Sequence, residues 1–137
     1  MIAFDRPVKF EEVDAARIVF FGHYVAWAHE AMDRFFGALD GGYARLILER
    51  RVGLPAVKVD MTFSRPLRYG DVARIETTCA RLGGRSAALR YRVQDAKDRA
   101  LVAEIHHTVV TTDLDAMRSC EMPADVRAQL AAHLEPP

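Results

Sequence analysis

One acidic side chain, Asp14, stands a few residues before a stretch with the pattern of a largely apolar helix. A carboxylate in that position is a candidate catalytic group, because it can attack a carbonyl carbon or accept a proton from water. Gly22 lies at the helix entrance, where the first backbone N–H groups have no intrahelical partner and glycine lets another group approach. Such N–H groups can stabilise an oxyanion. Asp14 and Gly22 also fit a plain turn ahead of a core helix, so both interpretations stay open.

The segment from His23 to Leu39 predicts the helix that would position these groups. Its apolar residues recur at helical spacing and leave only a narrow polar band, so we expect burial on most sides. Within the band, Glu30 and Arg34 are spaced like a solvated helical pair. His29 and Asp33 have the same spacing, but no third ligand accompanies them and we predict no metal site. The apolar positions are Tyr24, Trp27, Ala28, Ala31, Met32, Phe35 and Leu39, broadened by Val25 and Phe36.

The rest of the chain supplies a sheet. Val8–Val13 predicts a short strand whose alternation, extended, puts Asp14 on the apolar side, although Glu12 is in phase too. After a shorter helix from Tyr43 to Arg51, four segments alternate apolar and polar residues, with connections too short for crossovers. Pro123–Leu134 predicts a terminal amphipathic helix. The expected class is α+β, with a five-stranded antiparallel sheet around one long central helix. The four alternating segments cover residues 57–63, 73–79, 87–93 and 101–109.

Composition limits the classes of function. The 137 residues fit one domain, 1–137, large enough for its own core. Lysine plus arginine equal aspartate plus glutamate at 19 each, so no net charge favours nucleic acid. No segment approaches the ~18 apolar residues of a membrane span, and no basic start precedes an apolar run. Cys79 and Cys120 lack the spacing of a disulfide scaffold or metal site. We expect a cytoplasmic protein that binds neither nucleic acid nor membrane.

Two segments of the chain resemble a known family. The first is Val8–Tyr24, which contains Asp-Ala-Ala-Arg-Ile-Val, and the second is Phe63–Asp71, which ends in Pro-Leu-Arg-Tyr-Gly-Asp. Together they resemble the hotdog-fold acyl-CoA thioesterases of the 4-hydroxybenzoyl-CoA thioesterase family. The resemblance runs from about Phe4 to about Leu134. It implies hydrolysis of a thioester to a carboxylic acid and free coenzyme A, with coenzyme A as part of the substrate and no other cofactor. It also implies a homo-oligomer, either a dimer or a homotetramer, with sites at subunit boundaries.

The resemblance also implies residue roles. Asp14 falls on the catalytic carboxylate, which acts as nucleophile or as base for the attacking water. Phe21 and Gly22 fall at the helix N-terminus, where the family polarises the carbonyl with a backbone N–H. Arg17 departs from the family's usual glycine, and Phe21 departs from its common tyrosine or histidine. Candidate substrate or coenzyme A contacts are Arg17, His23, Tyr24, Arg65, Arg85 and Ser86.

Two other functions stay open. A hotdog enoyl-CoA hydratase would add water to a double bond, and we would expect it to carry a paired aspartate and histidine motif that we do not find. A non-catalytic acyl-CoA-binding domain would bind coenzyme A without turnover. The acyl group itself is undetermined, since Phe20, Phe21, Trp27 and Met32 could line an aromatic or an aliphatic pocket, or only the core.

Overall fold

A computed structural model describes residues 1–137. Five strands form one antiparallel sheet: β1 (Ile2–Pro7), β3 (Ala56–Phe63), β4 (Val72–Leu82), β5 (Ser86–Asp95) and β6 (Leu101–Val110). Their order across the sheet is β1-β4-β5-β6-β3, so β1 and β3 are the edges. Three two-residue strands form a second small sheet: β2 (Val52–Gly53), β7 (Thr112–Asp113) and β8 (Arg118–Ser119). The predicted α+β class and the five-stranded antiparallel sheet are confirmed.

The chain has three helices, α1 (Gly22–Phe36), α2 (Gly42–Leu48) and α3 (Ala124–Ala132). The predicted long helix corresponds to α1, which is the longest of the three at 15 residues. That helix ends three residues before the predicted Leu39. None of the three combines the length and hydrophobicity that a membrane span requires.

The first strand lies earlier than predicted. Val8–Val13 is not a strand, because residues Phe10–Glu12 form a 3-10 turn, and β1 occupies Ile2–Pro7 instead. The turn is closed by a hydrogen bond from the Glu12 N–H to the Lys9 carbonyl, and the Glu12 carboxylate accepts the Lys9 N–H at 2.7 Å. A side chain that bonds to nearby backbone in this way competes with strand pairing. The apparent alternation therefore came from a turn.

The core lies between α1 and the inner face of the sheet. Every second residue of β4, β5 and β6 points inward, and the α1 face that meets them is fully covered. The opposite side of α1, with Val25, Ala26, His29 and Asp33, is exposed in the single chain. The expected burial on most sides is therefore wrong. The α1 residues in the core are Tyr24, Trp27, Ala28, Ala31, Met32, Phe35 and Phe36.

Strand β3 is the least covered strand of the sheet. It pairs only with β6, and seven of its eight residues are exposed. Three of these are large and apolar: Val57 is 61% exposed, Val59 43% and Phe63 46%. An edge strand with apolar side chains and one unpaired backbone side is suited to pairing with another strand.

Candidate active site

The chain between the 3-10 turn and α1 forms a tight hairpin that carries Asp14 at its start. The Asp14 N–H donates to the Ile18 carbonyl at 3.0 Å, and the Asp14 carbonyl accepts the Arg17 N–H at 2.9 Å. One carboxylate oxygen, Oδ1, accepts the Ala16 N–H at 2.8 Å. The side chain is exposed, rather than directed into the core as strand alternation suggested. The hairpin thus fixes one oxygen of the carboxylate and leaves Oδ2 free for chemistry.

The N-terminus of α1 presents unpaired donors beside this hairpin. The N–H groups of Phe21 and Gly22 have no backbone acceptor, whereas the His23 N–H donates to the Phe20 carbonyl at 3.0 Å. A Cβ at Gly22 would lie 2.7 Å from Cε2 of the exposed Phe20 ring, so a side chain there would require that ring to move. The helix dipole adds positive potential at these donors. The arrangement suits a developing oxyanion.

A cavity of about 360 Å³ brings the Asp14 hairpin and the start of α1 together. Its size lies within the range of small-molecule sites. Phe63, Ser64, Arg65 and Pro66 close the far wall, at the end of β3. Of the candidates from sequence, this cavity contains Asp14, Phe21, Tyr24 and Arg65. The remaining lining residues are Ile18 and Val19.

Tyr24 forms part of the cavity wall and is otherwise buried. Its ring packs against Trp27, with centroids 4.9 Å apart, and against Phe63 at 5.3 Å. Burial raises the pKa of Tyr24 to about 12. The raised pKa means that the hydroxyl remains a hydrogen-bond donor even in alkaline solution.

The buried carboxylate of this region is Glu12. Its Oε2 accepts the Trp27 indole N–H at 2.7 Å and pairs with Arg6 at 2.8 Å. Burial alone would raise the pKa of Glu12, but the hydrogen bonds from the Lys9 N–H, the indole and the guanidinium outweigh it and lower the pKa. The sequence showed that Glu12 was in phase with the apolar positions. It gave no sign that Trp27 and Arg6 would meet it.

Arg65, in the cavity wall, and two candidates outside the cavity lining have different surroundings. Arg65 donates to Asp98 at 3.0 Å and to Asp95 at 3.1 Å, so its charge is already paired. His23 is half-buried, and its ring meets the Phe20 ring edge-on with centroids 6.1 Å apart. Arg17 is exposed at the hairpin tip and lines none of the cavity.

Arg85 and Ser86 lie at the other end of the sheet. Ser86 pairs with Val110, beside the Ala56 end of β3, whereas the Asp14 cavity lies at the Phe63 end. The Arg85 guanidinium donates to the carbonyl and hydroxyl of Ser119, at 3.2 and 3.1 Å. Within one chain these two residues do not meet Asp14. No three His, Cys, Asp or Glu side chains are close enough together to hold a metal ion.

The thioesterase-like superfamily model matches residues 8–130 of the chain. A 1,4-dihydroxy-2-naphthoyl-CoA hydrolase from Prochlorococcus marinus is 28% identical over 134 residues, which cover 93% of this chain and 85% of the relative. A thioesterase superfamily structure from Jannaschia sp. CCS1 superposes with a TM-score of 0.90 at 28% identity, over 98% of this chain and 94% of that one.

A second solved structure is a 4-hydroxybenzoyl-CoA thioesterase variant in complex with 4-hydroxybenzoyl-CoA. It superposes with a TM-score of 0.85 at 26% identity, over 94% of this chain and 97% of that one. This similarity and the match to the superfamily model confirm the resemblance to the 4-hydroxybenzoyl-CoA thioesterase family. The chain therefore belongs to the thioesterase-like superfamily and has its hotdog fold.

Proposed function

We propose that the protein is an acyl-CoA thioesterase with Asp14 as its catalytic carboxylate. The observation that carries the proposal is the single cavity that contains Asp14 and the start of α1, whose Phe21 and Gly22 N–H groups lack acceptors. Membership of the superfamily supports the reaction type. Two of the relatives named above, the 1,4-dihydroxy-2-naphthoyl-CoA hydrolase and the 4-hydroxybenzoyl-CoA thioesterase, are named for coenzyme A thioesters, which supports the same substrate class here.

In the proposed reaction the thioester carbonyl oxygen accepts hydrogen bonds from the free N–H groups at α1. With Asp14 as base, the carboxylate takes a proton from water while the water oxygen bonds to the carbonyl carbon. The carbon–sulfur bond then breaks, the carboxylic acid forms, and the thiolate of coenzyme A takes a proton. Preorganised donors of this kind stabilise an oxyanion by about 3 kcal/mol.

A nucleophilic Asp14 gives the same products by two steps. The carboxylate oxygen attacks the carbonyl carbon, the thiolate leaves, and water then hydrolyses the mixed anhydride. A single turnover in ¹⁸O-labelled water, with mass spectrometry of the protein and of the product acid, tests the nucleophilic route. Label in the Asp14 carboxylate indicates attack by water at the Asp14 side of an anhydride, and therefore the nucleophilic route. Label confined to the product acid excludes that attack and is the result either for Asp14 as base or for hydrolysis of the anhydride at its acyl carbon.

The proposal includes a homo-oligomer, a dimer or a tetramer, built on β3. Antiparallel pairing of two β3 edges would place the Ala56 end of one chain beside the Phe63 end of the other. Arg85 and Ser86 lie at the Ala56 end. A second copy would therefore bring these polar groups toward the Asp14 cavity, where they would bind coenzyme A. The unpaired thiols of Cys79 and Cys120 support the proposed cytoplasmic location.

The test is thiol release from a panel of acyl-CoAs by the wild type and by Asp14→Asn. The asparagine oxygen can still accept the Ala16 N–H, so we expect normal folding and oligomerisation with a rate lowered by ~10²–10⁴. Asp33→Asn is the matched control, since Asp33 is exposed on α1 outside the cavity.

Near wild-type turnover by Asp14→Asn would overturn the assignment. Loss of an enoyl double bond without thiol release would indicate a hydratase. Binding of coenzyme A thioesters with no turnover across the panel would indicate a binding domain.

A further inference from the structure

Three cavities follow one seam between α1 and the β3 side of the sheet. The first is the Asp14 cavity, which includes Tyr24 and Phe63. A second, of about 160 Å³, is lined by Val25, Ala28 and His29 of α1 and by Val59 of β3. A third, of about 520 Å³, continues past His29 and Met32. From the first cavity to the third, the lining residues on α1 come later in the sequence and those at β3 come earlier. The three cavities therefore follow one another along the seam.

Among the residues that line the first cavity, Tyr24 on α1 and Phe63 on β3 are the ones nearest in sequence to the lining of the second cavity. The Tyr24 and Phe63 rings meet edge-on, with centroids 5.3 Å apart and planes at 73°. Tyr24 is only 3% exposed and is held against Trp27, whereas Phe63 stands at the end of the edge strand. One residue further along α1, and four residues back along β3, Val25 and Val59 already line the second cavity.

We propose that Phe63 sets the depth of the acyl pocket and limits it to compact acyl groups. The inference rests on the proposed thioesterase function, since it takes the first cavity as the acyl site. An acyl group with its carbonyl at Asp14 meets the Tyr24 and Phe63 rings at its far end. Five of the seven residues that line the second cavity are apolar, and it would receive a longer chain if the Phe63 ring were absent.

The test compares the wild type with Phe63→Ala on benzoyl-, butanoyl-, octanoyl- and dodecanoyl-CoA. We expect the ratio of kcat/KM for dodecanoyl-CoA to that for benzoyl-CoA to rise at least about tenfold, because the extra methylenes become buried. Phe10→Ala is the matched control. It makes the same chemical change at an exposed phenylalanine that lines none of the three cavities, and its ratio should stay at the wild-type value.

A double variant tests the route of the longer chain. Val59→Phe, added to Phe63→Ala, fills the second cavity and should return the ratio toward the wild-type value. Phe63→Leu keeps an apolar side chain and should give an intermediate ratio, which guards against loss of folding in the alanine variant. An unchanged ratio in Phe63→Ala and Phe63→Leu, or an equal loss on every acyl-CoA, would overturn the proposal.

Binding separates this proposal from the proposed reaction. Calorimetric titration of the same acyl-CoAs into wild type and Phe63→Ala measures pocket depth without turnover. If the wild type releases no thiol, the reaction assignment fails, but a gain in dodecanoyl-CoA affinity in Phe63→Ala still supports the depth limit. Equal affinities for the two proteins across the series would reject the depth limit even if thiol release is observed.

Discussion

Arg17 occupies a backbone conformation that favours glycine. Its φ is 68°, in the left-handed region, at the tip of the hairpin that carries Asp14. A residue other than glycine in this conformation destabilises the folded state by about 1–2 kcal/mol. Glycine removes that strain, but it also raises the entropy of the unfolded chain, which offsets part of the stabilisation. We expect Arg17→Gly to raise the free energy of unfolding by up to about 1 kcal/mol, measured by urea denaturation.

Arg99 provides the control for that prediction. Its φ is 61° in the turn between β5 and β6, so Arg99→Gly should stabilise by a similar amount. If Arg17 contacts the substrate, as the sequence predicts, Arg17→Gly alone should raise KM. Destabilisation by both substitutions would contradict the strain argument, and equal KM values would remove Arg17 from the substrate contacts.

Glu12 ties three elements together at the base of the Asp14 hairpin. It joins the 3-10 turn to β1 through Arg6 and to α1 through Trp27, and its carbonyl accepts the Phe20 N–H at 2.9 Å where the hairpin closes. The Arg6 guanidinium also lies 4.8 Å from the centroid of the Trp27 ring. These contacts set the position of the hairpin relative to the start of α1.

We expect Glu12→Gln to destabilise the protein by about 1.5–3 kcal/mol at neutral pH, because a charged acceptor of several hydrogen bonds is lost. The lowered pKa of Glu12 means that its contribution is complete above pH 4.5 and is lost as the pH falls through the folded value. The difference between wild type and variant should therefore shrink below pH 4.5. Urea denaturation across a pH series measures it.

Glu11→Gln is the control, because Glu11 is the exposed neighbour and should give almost no difference at any pH. A gap between wild type and Glu12→Gln that is constant with pH would show that the carboxylate charge does not contribute.

The contrast between these elements shows what the sequence could predict. Strands β4, β5 and β6 were predicted to within three residues at each end, because each had seven to nine residues of alternation and a partner strand one short turn away. Val8–Val13 offered only six residues, and a turn closed by Glu12 gives the same alternation. The turn depends on Arg6 and Trp27, which meet Glu12 only after the chain folds.

Part of the candidate site could be predicted from the sequence, and part of it could not. Asp14, Phe21 and Tyr24 are close in sequence, so one hairpin and the start of one helix bring them to the same cavity. Phe63 was assigned no role from sequence, because its position beside Tyr24 depends on how β3 crosses α1. Arg85 and Ser86 could not be placed without knowing the direction of β5 and the proposed second copy.

At the scale of the whole molecule, the proposed oligomer depends on pairing between two β3 edges. Two such edges that pair would continue the sheet across the molecule and cover Val57, which is 61% exposed in the single chain. A charge at that position would have to be buried when the two edges pair. Burying an unpaired charge costs far more free energy than leaving it in solvent. We therefore expect Val57→Glu to be a folded monomer, while the wild type is a dimer or tetramer by light scattering.

Activity provides the second measurement on the Val57→Glu variant. If Arg85 and Ser86 of a second copy bind coenzyme A beside Asp14, the monomer should lose affinity for acyl-CoA and show a raised KM. Leu48→Glu is the control, since Leu48 is 71% exposed on α2, away from β3, and its change should leave both mass and KM unaltered. A Val57→Glu protein with the wild-type mass would show that the chains associate through another surface. A monomer with the wild-type KM would show instead that one chain holds the whole coenzyme A site.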